Sequence, residues 1–105
     1  PILYAGAGEP EETLMMRATG EMPEDIKAQA EMSLLNVKAV LEAAGSSLDK
    51  VVKTTCFLAD INDFAAFNEV YARMMPKTGA PSRSAVGIAA LPKGAKVEIE
   101  AIAIR

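Results

Sequence analysis

Segments of strand and helix character alternate along the chain and end in two strands, which predicts an α/β sandwich with two helices packed on one face of a single sheet. Three observations carry this expectation. Ile26, Ala30, Leu34, Val37, Leu41 and Ala44 recur at steps of three and four, as on one side of an amphipathic helix. The run VVKTTCFLAD is β-branched and alternating. The closing KVEIEAIAI also alternates, with an apolar C-terminal half on both sides. With 105 residues, the chain is read as one domain, 1–105, built on one modest core.

Taken in order, PILYAGAGEP reads as a short strand entering an irregular turn. Its Gly-Ala-Gly spacing is too short for a dinucleotide fingerprint, so turn glycines are the reading. The first helix is expected from Pro23, which suits a first helical turn, with Glu24 and Asp25 at the positive end of the dipole and Gly45 as the left-handed stop. In the following strand Val52, Thr54, Cys56 and Leu58 share one side, and Val51, Lys53, Thr55 and Phe57 the other. Cys56 is expected to be a small core residue, since no neighbouring base marks it as a nucleophile.

A second helix is expected from about Asp60–Asp63, either of which could cap it, burying Phe64, Phe67, Tyr71 and one of Met74 or Met75. PKTGAPS then breaks the chain, and RSAVGIAA, an LPKGA turn and KVEIEAIAI read as two strands of an antiparallel hairpin. In the last strand Val97, Ile99, Ala101 and Ala103 face one way, and Glu98, Glu100, Ile102 and Ile104 the other. Helices on one sheet face leave the second apolar face in water, so a subunit interface is expected there.

Composition narrows the function. The net charge of −3, with acids and bases mixed along the chain, disfavours a nucleic-acid partner. No apolar run approaches the roughly 18–20 residues of a membrane span, and no leader-like segment precedes the first strand, so a cytoplasmic or mitochondrial protein is expected. A single cysteine and no histidine leave no intramolecular disulfide, no usual zinc site and no Ser-His or Cys-His pair. Any catalysis falls to carboxylate, arginine, lysine, tyrosine, backbone or water.

Two charges in APSRSAVGIAALPKGAKVEIEAIAI, residues 80 to 104, draw attention. Glu98 and Glu100 share a side with Ile102 and Ile104; they are either solvated at a strand start, paired with Lys93 or Lys96, or buried with a perturbed proton affinity. Arg83 follows the proline loop at the mouth of a strand, where its fork either grips a carboxylate in a cleft or makes a surface salt bridge.

The segments NVKAVLEAAGSSLDKVVKTTCFLADINDFAAFNEVY, residues 36 to 71, and PSRSAVGIAALPKGAKVEIEAIAI resemble the RidA/YjgF family of enamine and imine deaminases, and ILYAGAGEP occupies the place of that family's LYVSGQIP-like strand. The resemblance implies a chorismate-mutase-like fold, a homotrimer with clefts between subunits, and hydrolysis of 2-enamine or 2-imine acids such as 2-aminoacrylate to 2-keto acids and ammonia without a cofactor or metal. The family's P-x-R-S arginine falls on Arg83, which would bind the substrate carboxylate. The first acid of V-E-I-E falls on Glu98, which would help place the attacking water, and Ala85 would lie beside the ligand. Gly6 and Ala7 take the place of a Ser-Gly pair in the pocket. The family's first strand has no counterpart in this reading, and EETLMMRAT, residues 11 to 19, reads as a lengthened turn. Two other readings remain open: a non-enzymatic trimeric module that binds small ligands or acts as a holdase, and a tautomerase using the amine of Pro1.

Overall fold

The computed structural model describes residues 2–4, 13–19, 25–91 and 94–104. Along the chain these form β1 (Ile2–Tyr4), β2 (Thr13–Thr19), α1 (Ile26–Ala43), β3 (Val51–Leu58), α2 (Phe64–Met74), β4 (Ser82–Gly87) and β5 (Val97–Ile104), with short 3-10 turns at Leu48–Lys50 and Ile61–Asp63. The expected two helices on one sheet face are present, which makes the fold α+β.

Helix α1 starts where Asp25 leaves helical geometry and its carboxylate accepts from the Ala28 amide at 3.0 Å. Asp25 is therefore the cap, one step outside the turn in which the periodicity placed it; Pro23 and Glu24 lie outside the described residues. The helix buries Ile26, Ala30, Leu34, Val37 and Leu41, the stripe predicted from spacing. Gly45, at φ 84°, supplies the left-handed stop that a side chain would strain.

Strand β3 departs from simple alternation at its start. A register irregularity between Val51 and Lys53 against β5 turns Val51 inward and leaves Val52 46% exposed, the reverse of the sequence expectation. From Thr54 onward the expected side is buried: Thr54, Cys56 and Leu58 meet the helices. In α2, Asp60 caps the preceding 3-10 turn through the Asn62 amide, while Asp63 makes no side-chain cap. Phe67 and Tyr71 are buried, Met75 is the methionine that enters the core, and Phe64 is half-buried.

The strand order is β1-β2-β5-β3-β4, which overturns the expected terminal hairpin. Strand β4 runs parallel to β3 at the sheet edge, and β5 lies on the other side of β3, antiparallel to it. The physical cause is the helical crossover: a strand reached through α2 returns parallel beside β3. Burial agrees, since β5 is covered almost throughout and needs two neighbours, whereas β4 is mostly exposed. A second correction concerns residues 11 to 19, read as a turn: Thr13–Thr19 is a strand that pairs with β1 and with β5 from Thr13↔Ile104 to Thr19↔Glu98. Two strands thus precede α1 where sequence reading found one.

The helix-covered core contains Val97, Ile99, Ala101 and Ala103, all fully buried. On the opposite side Val52, Val86 and Ile104 remain 40–49% exposed, an apolar patch among the described residues, while Glu98 on that side is buried. No helix among the described residues is long and apolar enough to cross a membrane.

Candidate active site

The parallel register of β4 sets Arg83 opposite Thr54, and so on the helix side of the sheet. There its guanidinium carbon lies 4.6 Å from the centre of the Tyr71 ring and 5.3 Å from that of Phe64, and Nη1 donates to Asn68 Oδ1. Helix periodicity brings these partners together: Phe64, Asn68 and Tyr71 stand four and three residues apart on one side of α2. The surface salt bridge weighed for Arg83 is not formed, because among the described residues no carboxylate comes within salt-bridge distance of it.

Beneath the arginine the support is rigid. Tyr71 packs on Phe67 at 5.7 Å between ring centres, and Phe67 on Phe64 at 6.4 Å. The Tyr71 hydroxyl shares a buried 2.7 Å hydrogen bond with Thr54 Oγ1. Burial raises the Tyr71 pKa.

Cys56, next on this side of β3, is fully buried, and burial pushes its thiol up to about 11, against the pull of the Arg83 charge and a hydrogen bond from Thr54. The expectation of an inert core cysteine agrees. In the native protein at pH 8, thiol reagents should label Cys56 only at the rate at which the fold opens; prompt stoichiometric labelling would contradict this. Because the folded protein holds this proton more tightly than an unfolded thiol of ordinary pKa 9.0, stability should fall as pH rises from about 9 to 11.

A groove of about 550 Å3 opens beside Arg83, walled by Tyr71, Met75, Pro76 and Pro81 and carrying Lys77 as a second cation. Among the described residues no carboxylate lines it. A second charged depression, between α1 and α2, pairs Lys27 with Glu69 at 2.8 Å and Arg73 with Glu31 at 3.5 Å and also carries Asp25, and a third, beside the start of β3, carries Asp49 and Lys50. Of these three grooves, the one at β4 carries cations with no carboxylate among its described lining residues, which suits it to an anion.

The remaining sequence candidates are dispersed. Ala85 lies two residues along β4 from Arg83, half-buried and packed against the core. Glu98 pairs in register with Phe57 and is only 6% exposed, which removes the solvated-strand alternative; it and Glu100 both engage other groups. Alternation in β5 directs Glu98 to the side away from the helices, opposite to Arg83. Gly6, Ala7 and Lys93 lie outside the described residues. Sequence reading missed Asn68, Tyr71 and Lys77 as neighbours of the arginine: it took the aromatic stripe as core, and only the parallel pairing of β4 shows that the stripe's edge meets Arg83.

Fold and site define a class: a two-layer α+β domain with two helices on a five-stranded mixed sheet and an arginine on the edge strand, backed by the second helix. The sequence profile of the family described as Endoribonuclease L-PSP matches residues 4–105, and the chain belongs to this family, which includes the RidA proteins. It is 53% identical over 89 residues to the 2-iminobutanoate/2-iminopropanoate deaminase of Escherichia coli strain K12, covering 83% of this chain and 70% of that protein. Among solved structures, RidA from the Antarctic bacterium Psychrobacter sp. PAMC 21119 superimposes with a TM-score of 0.86 at 40% identity, covering 98% of this chain and 94% of the other. Escherichia coli TdcF with bound serine matches at a TM-score of 0.84 and 41% identity, covering 97% and 85%. These structures bear out the chorismate-mutase-like fold expected from the resemblance.

Proposed function

We propose that the chain is an enamine and imine deaminase that hydrolyses small 2-imino acids to 2-keto acids and ammonia. The observation that carries this reading is a guanidinium held by uncharged groups at the edge of a groove with no carboxylate among its described lining residues, which is a receptor for an anionic ligand. The name of the 53% identical relative states the same chemistry, and the serine bound by TdcF is an amino acid of the size the reaction needs.

The enamine first tautomerises to the imine, whose C=N carbon is electrophilic. Arg83 takes the substrate carboxylate in a two-point contact, fixing that carbon. Glu98 orients a water for attack, the carbinolamine forms, and collapse to the ketone expels ammonia. The atoms balance with water as sole co-reactant, so no strong nucleophile is required.

Arg83 and Glu98 project from opposite sides of one sheet, so a single chain does not bring both to one small ligand. A site that uses both takes them from different copies, and the exposed apolar patch of Val52, Val86 and Ile104 supplies contact surface. This supports the homotrimer with sites between subunits, in which Ala85 lies beside the ligand and Gly6 and Ala7 complete the pocket. Sedimentation of a stable monomer would remove this assembly. The working compartment in this reading is the cytoplasm.

The decisive assay generates imines from a panel of amino acids with an amino-acid oxidase and traps them with semicarbazide. Added protein should lower semicarbazone yield for the imines it hydrolyses. Unchanged yields throughout the panel, with assembled protein, would defeat the reading, and cleavage of RNA instead would support the activity in the family's description. Glu98→Gln should reduce turnover more than it weakens binding of the keto-acid product, because its work is on water. Equal turnover in assembled protein would make Glu98 a structural group.

A further inference from the structure

Arg83 is held without being neutralised. A guanidinium has five N–H donors around a flat plane. Asn68 Oδ1 accepts one of them, at Nη1, and the rings of Tyr71 and Phe64 lie against the group at 4.6 and 5.3 Å. Aromatic rings attract a cation without supplying an anion. The Thr54 Oγ1 bond to the Tyr71 hydroxyl, at 2.7 Å and buried, fixes the ring that fixes the arginine.

The rest of α2 handles its charges differently. Arg73 pairs with Glu31 at 3.5 Å, and Glu69, adjacent to Asn68 in sequence, pairs with Lys27 at 2.8 Å on the side of α1. Position 68 therefore carries the side-chain acceptor that Arg83 donates to, and that acceptor is an uncharged amide. An aspartate there would have nearly the same shape and a comparable acceptor oxygen, but would form a charge-assisted bond to the same guanidinium.

We propose that the neutrality of this clamp sets affinity at the site: Asn68 and Tyr71 are positioning residues that orient Arg83 while leaving its whole charge to the substrate carboxylate, and the amide at position 68 is the determinant. The proposal rests on the reading of Arg83 as the carboxylate receptor. It separates two roles that geometry alone would merge. If Asn68 only anchors the arginine by a hydrogen bond, Asn68→Asp should preserve function better than Asn68→Ala. If its neutrality matters, the order reverses, because the introduced carboxylate competes with the ligand for one cation.

The test is titration of 2-oxobutanoate by calorimetry into parent, Asn68→Ala, Asn68→Asp and Arg83→Ala proteins, each verified as folded and assembled, together with KM and kcat on an oxidase-generated 2-imino acid. Losing the neutral acceptor should weaken binding about 3- to 10-fold, and introducing the carboxylate about 10- to 100-fold. KM should rise by more than kcat falls, since the substitution acts on carboxylate capture. Binding by Asn68→Asp equal to the parent or tighter than Asn68→Ala overturns the proposal. So does parent-like affinity in Asn68→Ala, should Asn68→Asp fail to fold. Arg83→Ala keeps the two readings apart: parent-like binding there defeats the receptor assignment itself, whereas lost binding there with intact binding in Asn68→Asp defeats the clamp alone.

Discussion

Arg83→Ala is expected to lower the efficiency of 2-imino acid hydrolysis by about ten- to several hundred-fold, the value of a charge-assisted two-point contact worth roughly 1.5–3 kcal/mol or somewhat more when partly desolvated. Arg83→Lys should restore little. An ammonium keeps the charge but has neither the planar fork that matches a carboxylate nor the flat face that lies on Tyr71 and Phe64. The fold should survive both changes, because Arg83 is exposed on an edge strand and its removal costs the protein only two cation–π contacts and one hydrogen bond. Circular dichroism and sedimentation verify that survival, and the semicarbazide assay reads the rate. Parent-like rates in both assembled variants would leave Arg83 a surface charge and remove the main support of the deaminase reading.

Phe67→Ala destabilises the domain by about 3–5 kcal/mol, a large part of the roughly 5–15 kcal/mol that holds a domain together. Phe67 is fully buried and stands between the rings of Phe64 and Tyr71, so its loss opens a cavity under the helix that carries the arginine's support. Urea denaturation should show the shift, and Phe67→Leu, which keeps most of the volume, should cost less than about 2 kcal/mol. The loss should reach activity too, because Tyr71 and Phe64 bear on Arg83 from either end of this aromatic row. A Phe67→Ala protein as stable as the parent would mean that the core under α2 is not the rigid support described.

The sequence by itself determined the two helices, the strand at β3 and the closing strand, because each carries its own period: Ile26 to Leu41 at steps of three and four, Thr54, Cys56 and Leu58 at steps of two. Gly45 ended α1 as predicted, since left-handed geometry is a local demand that glycine meets. Arg83 and Glu98 were also picked out locally, one from its place after a proline loop and one from charge in an apolar strand. Strand partners were not legible in this way. The short link between β4 and β5 suggested a hairpin, and only the folded sheet shows β3 between them, because the choice of neighbour depends on the crossover through α2 and on how many sides each strand must bury. Thr13–Thr19 was missed for a related reason: Leu-Met-Met-Arg has little β-branching, and its strand state follows from pairing with β5. The surroundings of Arg83 lie furthest from sequence. Asn68 and Tyr71 are 15 and 12 residues away along the chain, and only the parallel register that sets Arg83 opposite Thr54 brings it over their side of α2. Periods along a chain record what each segment buries, while contacts between segments depend on pairing choices that are settled when the whole core closes.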